Sequence, residues 1–131
     1  MGTRVMKPKF LLDSAILIDH LRGIEPATSW LRSLHEGEAV ISAITRAEVM
    51  AGGSTDERAA AFALCEEFAC LPLTKEIADR AAELRRAHRW RLPDAFQAAV
   101  AVELGLRLVT RNSRDFNERA HPFVSIPYRL G

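Results

Sequence analysis

Short apolar runs alternate with longer amphipathic stretches along this chain. Phe10-Leu11-Leu12, Ala39–Ser42, Cys70–Leu73 and Leu106–Thr110 are too short for helices and lack strict polar alternation, which predicts strands buried on both faces. Phe123–Ile126 is a candidate final short strand. Between the runs, apolar residues recur at helical spacing. Ala15–Leu21 places Leu17, Ile18 and Leu21 on one face and stops at Gly23, with Ser14 as the expected cap. Pro26–Glu36 carries Ala27, Trp30, Leu31 and Leu34, a row that predicts an exposed apolar patch, and Ile44–Ala51 carries Ile44, Ala47 and Ala51. Thr55–Ala69 is alanine-rich, and Lys75–Arg91 turns Ile77, Ala81, Leu84 and His88 inward. Leu92–Leu104 opens with Pro93 at a first-turn position and buries Ala95, Ala98, Ala99 and Val102. Strands alternating with helices predict an α/β fold, with a mostly parallel central sheet of four to five strands flanked by helices.

Composition narrows this picture. A length of 131 residues suits one domain, 1–131, and the Gly52-Gly53-Ser54 break is too short for a linker. The 48% hydrophobic content excludes disorder, and a formal net charge of +1 provides no overall field to draw in nucleic acid or membrane. Any nucleic-acid partner must therefore be held locally. Cys65 and Cys70 are read as small buried hydrophobes. The basic stretch Met1–Lys9 leads into Phe-Leu-Leu, but Asp13 interrupts the apolar run, which argues against a signal peptide. No stretch is long enough to span a membrane, so a cytoplasmic location is expected.

Four acids fall at related structural ends. Asp13 closes the first strand, Glu48 lies on the inward side of the third helix, Asp94 stands in the first turn of the Leu92–Leu104 helix, and Asp115 follows the Leu106–Thr110 strand. Ligands of open α/β sheets bind at the carboxyl ends of the strands. Carboxylates gathered there repel, by about 4 kcal/mol for two charges ~4 Å apart at an effective dielectric near 20. Such a cluster calls for protons or a hard cation, and oxygen ligands suit Mg²⁺ or Mn²⁺. The four histidines are scattered, and zinc, phosphate-loop, dinucleotide and serine-hydrolase motifs are all missing. The cluster Arg85, Arg86, His88, Arg89, Trp90, Arg91 fits phosphate contact and a solvated helix end equally well.

Four stretches, Leu11–Gly23, Ile41–Gly52, Leu92–Ala101 and Leu108–Phe116, resemble in order and spacing the successive motifs of PIN-domain ribonucleases, and more narrowly those of VapC-type toxins of bacterial toxin–antitoxin pairs. The resemblance implies a PIN-like three-layer sandwich and metal-dependent RNA phosphodiester hydrolysis. It implies that Asp13, Glu48, Asp94 and Asp115 form the catalytic, metal-binding acids, with Mg²⁺ or Mn²⁺ as cofactor. Ser14 and Asn112 then stand behind the acids or orient substrate, and Asp19 is structural. Ala15 departs from the family's frequent Ser or Asn. Arg46, Arg111 and Arg114 lie a few residues from the acids and are expected to include a phosphate contact. The implied partners are RNA, a cognate antitoxin and a second copy of the chain in a homodimer, with no membrane. Two other readings compete. One is a receiver-like Mg²⁺-binding module, which lacks its acceptor Asp and late Lys here. The other is a non-catalytic PIN-like nucleic-acid-binding module, against which the presence of all four acids argues.

Overall fold

The structure, a computed structural model, describes residues 7–130. Met1–Met6, most of the basic start, lies outside the described residues. The elements run β1 (Phe10–Leu12), α1 (Ser14–Leu21), α2 (Glu25–Arg32), β2 (Ala39–Ser42), α3 (Ala43–Ala51), α4 (Arg58–Glu66), β3 (Ala69–Leu71), α5 (Lys75–His88), α6 (Leu92–Leu104), β4 (Arg107–Val109) and β5 (Val124–Ser125). The sheet order is β3-β2-β1-β4-β5, with every pairing parallel.

Both faces of the sheet are covered over β2, β1 and β4, which is why these strands read as apolar runs, whereas the third strand, expected at Cys70–Leu73 and buried, spans Ala69–Leu71 at the sheet edge with Ala69 and Cys70 exposed. The pleat sends neighbouring residues to opposite faces. Leu11, Val40 and Leu108 pack with Ile77, Ala81 and the alanines of α5 and α6, while Leu12, Ile41 and Val109 pack with Ile16, Leu17, Val49 and Leu64 of α1, α3 and α4. The result is a three-layer α/β/α sandwich with a core on each side. A receiver-like module would follow the order 2-1-3-4-5 instead.

Several expected boundaries and faces shift, for local reasons. The second helix ends at Arg32 rather than Glu36, because the chain turns and the Glu38 carboxylate accepts from the His35 N–H. The fourth begins at Arg58, since Ser54–Glu57 is a turn closed by the Ser54 hydroxyl donating to Glu57. The fifth stops at His88 because Arg89 enters the left-handed region at φ 59°. α3 is capped by Ser42 and turns Thr45 and Val49 inward instead of Ile44, Ala47 and Ala51. Val102 is exposed, His88 is exposed, and Cys70 lies exposed on edge strand β3, whereas Cys65 is buried. Trp30, Leu31 and Leu34 are half-buried rather than an open patch, and the Trp30 ring meets Phe10 edge-on at 5.5 Å. Among the described residues, no helix is long and apolar enough to cross a membrane.

Candidate active site

The strand order reverses direction between β1 and β4, and the crevice at such a switch point is where open α/β sheets bind ligands. Asp13 and Thr110 leave the carboxyl ends of these two strands and meet across the switch point. The buried Thr110 hydroxyl donates to Asp13 Oδ2 at 2.6 Å, and the Ser14 N–H donates to Oδ1 at 2.8 Å. Asp13, not Ser14, therefore caps α1. Ser14 instead turns its hydroxyl to Glu48, donating to Oε1 at 3.1 Å. The first strand–helix turn thus orients two carboxylates.

α6 brings the third. Asp94, 8% exposed, sits in its first turn, as the Pro93 start predicts. Its Oδ2 is buried and has no hydrogen-bond partner among the described residues. Burial pushes the Asp94 carboxyl above the usual carboxylate range, and the charges of Asp13 and Asp115 add to the rise. Glu48 is pushed up in the same direction, first by burial and then by Asp13 and Asp94, against the lowering effect of the Ser14 hydrogen bond. Asp94 and Glu48 therefore both feel the charge of Asp13, and Glu48 that of Asp94 as well. Asp115 is more exposed and is held by Asn112, whose amide donates to Asp115 Oδ2 at 3.0 Å and accepts from the Asp115 N–H at 3.2 Å. Trp90 Nε1 donates to the Asp115 carbonyl at 3.2 Å, and its ring stacks on His88 at 4.2 Å and lies 5.1 Å from His121. Burial lowers the His121 pKa, with His88 adding to the effect.

Among the described residues, no three His, Cys, Asp or Glu side chains are close enough to hold a metal ion between them. The chemistry of the site nevertheless suits one. A buried carboxylate oxygen without a hydrogen-bond partner, on an acid whose pKa is raised by burial and by neighbouring carboxylates, is stabilised by a hard cation, and all the acids offer oxygen ligands.

The arginines divide. Arg46 turns away from the acids, pairing with Glu66 at 2.8 Å and lying over the Phe62 ring. Arg111 forms a two-pronged pair with buried Asp19, at 2.6 and 3.1 Å, and the Tyr128 hydroxyl donates to the same carboxylate at 2.8 Å. Arg46 and Arg111 are thus engaged in structural pairs rather than offered to a phosphate. Arg114 stays on the rim, beside Ala15 and Asn112. Arg111→Gln is expected to lower stability by about 1–2 kcal/mol, discounted for the partly exposed guanidinium, since it removes the partner of a buried charge. Urea unfolding checks this.

Two features go beyond the sequence patterns: Gln97, which they passed over, and the pairing of Arg91, which they marked only as part of a basic cluster suited to phosphate contact. Gln97, fully buried one turn after Asp94, accepts from the Ser42 hydroxyl at 2.7 Å and donates to Thr45 Oγ1 at 2.6 Å; Thr45 in turn donates to the Leu12 carbonyl at 2.8 Å. This network joins the ends of β1 and β2 to α6 directly beneath the acids. Its only signal in the sequence is a Gln on the apolar face of a helix. The second feature is Arg91, whose Nε lies 3.6 Å from Asp94 Oδ2, too far for a hydrogen bond. The i,i+3 spacing of opposite charges could have revealed it.

These features define a parallel α/β domain with an acidic crevice at its switch point. A PIN-domain family model matches residues 10–122. Ribonuclease VapC10 of Mycobacterium tuberculosis is 38% identical over 125 residues, covering 89% of this chain and 94% of that protein. A toxin–antitoxin complex from Klebsiella pneumoniae contains a chain 32% identical, matched with a TM-score of 0.85 over 93% of this chain and 100% of that one. VapBC-5 from Mycobacterium tuberculosis matches at 26% identity and a TM-score of 0.59, over 94% and 100%. The chain belongs to the PIN-domain family.

Proposed function

We propose that residues 1–131 form a single PIN domain that acts as a metal-dependent endoribonuclease, the toxin of a toxin–antitoxin pair. The observation that carries this reading is the buried Asp94 Oδ2, without a hydrogen-bond partner, among the acids at the switch point. Similarity to a protein named a ribonuclease and to chains of toxin–antitoxin complexes supports it. Asp13, Glu48, Asp94 and Asp115 would hold Mg²⁺ or Mn²⁺, which supplies a bound water of lowered pKa and stabilises charge on the phosphate.

The protein's own groups do the positioning. The Ser14 N–H and the Thr110 hydroxyl fix both oxygens of Asp13, the Ser14 hydroxyl steers Glu48, and Asn112 holds Asp115. One of these carboxylates accepts the proton of the attacking water. The water oxygen bonds to phosphorus, the bond to the leaving ribose oxygen breaks, and that oxygen takes up a proton from solvent. Arg114 on the rim is placed to contact the RNA backbone.

A homodimer and a small antitoxin that covers the acidic crevice complete this reading. Sequencing fragment ends after purified protein is added to mixed RNA with Mg²⁺ should give recurrent internal cuts that chelation abolishes. Intact RNA from a folded, metal-loaded protein would point to the non-catalytic module instead. Light scattering should give twice the chain mass, and a strict monomer that captures no antitoxin would leave a plain ribonuclease.

A further inference from the structure

We infer that Arg91 is a built-in exchangeable counter-ion: it occupies Asp94 until a divalent cation takes that carboxylate, and it then holds a phosphate of the single-stranded RNA entering the site. The inference rests on the metal-dependent ribonuclease reading above. Arg91 is the N-cap residue of α6, and its carbonyl accepts from the Ala95 N–H, so its backbone is tied to the helix that carries Asp94. The left-handed turn at Arg89 and the buried Trp90 fix the approach, and Arg85 donates to the Trp90 carbonyl at 2.6 Å. The backbone is rigid while the side chain is 79% exposed and reaches Asp94 Oδ2 only at 3.6 Å.

That carboxylate oxygen is the buried one without a hydrogen-bond partner, and the Arg91 charge also lowers the pKa of Glu48. Arg91 thus offsets the negative charge of the crevice without sealing it. With the guanidinium exposed and the contact this long, the pair is weak and easily exchanged. A divalent ion has twice the charge and prefers carboxylate oxygens, so it displaces the guanidinium. The freed fork then stands at the mouth of the crevice, where its donors match a phosphate. Arg46 and Arg111 are held by Glu66 and Asp19 and cannot take this role without breaking shorter contacts.

Metal affinity and RNA affinity should therefore move in opposite directions when Arg91 is removed, which a merely structural residue would not produce. Calorimetric titration with Mn²⁺ alone, on the wild type and on R91Q, R91K and R86Q, reads the first. R91Q is expected to bind Mn²⁺ about fivefold more tightly, the fold-change supported by a long pair with an exposed guanidinium, with R91K and R86Q near the wild type. Fluorescence anisotropy of a mixed-sequence phosphorothioate RNA at saturating Mn²⁺ reads the second. R91Q should bind more weakly, with the slope of log affinity against log salt smaller by about 0.7, one single-strand phosphate contact. R91K should retain the slope. Mn²⁺ affinity that is unchanged or weaker in R91Q, or an unchanged salt slope, overturns the assignment while leaving the nuclease reading in place. A wild type that takes up no Mn²⁺ overturns both.

Discussion

Asp94→Asn should abolish most RNA cleavage while leaving the fold intact. The expected loss is at least about a hundredfold, the scale reached even by groups behind metal ligands. Its effect on stability should run the other way. The Asp94 carboxylate is buried beside Asp13, within reach of Asp115, with one oxygen unpartnered. A neutral amide removes a charge from that crowd and brings an N–H that can donate to its neighbours. The metal-free variant should therefore melt at the same temperature as the wild type or higher. Adding Mn²⁺ should stabilise the wild type by about 2.7 kcal/mol at a hundred times its dissociation constant, and the variant much less.

The same crowding sets a pH dependence. Asp94 and Glu48 have raised pKa values in the folded state, so between the unfolded and folded values the native protein binds more protons than the unfolded chain. Stability then falls as pH rises through that window, and what is lost is not regained above it. Metal-free melting should decline as pH rises from the ordinary carboxylate range through the raised folded values, and less steeply in Asp94→Asn. A variant that melts lower and keeps full activity would make Asp94 a structural residue.

Gln97→Leu should be the costliest single change to stability outside the apolar core. The replacement is similar in size but leaves the Ser42 hydroxyl without its acceptor and Thr45 Oγ1 without its donor, both fully buried. Each lost partner costs about 1–3 kcal/mol, and because Ser42 still accepts from the Thr45 N–H and Thr45 still donates to the Leu12 carbonyl, the predicted loss is about 2–4 kcal/mol in urea or thermal unfolding. Catalysis should suffer as well, because this network fixes the first turn of α6 against the ends of β1 and β2 and so fixes Asp94 relative to Asp13. A Gln97→Leu protein of unchanged stability would mean that the hydroxyls find other partners. One that is destabilised yet cleaves normally would show that α6 is held in place by its alanine packing alone.

The alternation of elements was legible in the sequence because its physical cause is local. A strand covered on both faces must be apolar at successive positions, as in Leu11-Leu12 and Val40-Ile41, and a helix packed on a sheet must repeat its apolar residues every three or four. Acids placed just beyond strands or in a first helical turn, as Asp13, Asp94 and Asp115 are, point to the carboxyl edge for the same reason. Helix faces were less legible. In α3 the cap at Ser42 sets the rotation of the helix, so polar Thr45 faces inward on the Leu12 carbonyl and Ala47 faces out. Tertiary structure alone decided the order β3-β2-β1-β4-β5, which places Thr110 against Asp13 across 97 positions of sequence. It also decided the fate of each arginine. Arg46, Arg91 and Arg111 all lie near acids along the chain, yet one turns to Glu66, one to Asp94 and one to Asp19. A long charged side chain can reach many partners from one backbone position, and only the packed neighbours determine which carboxylate is near enough to hold it.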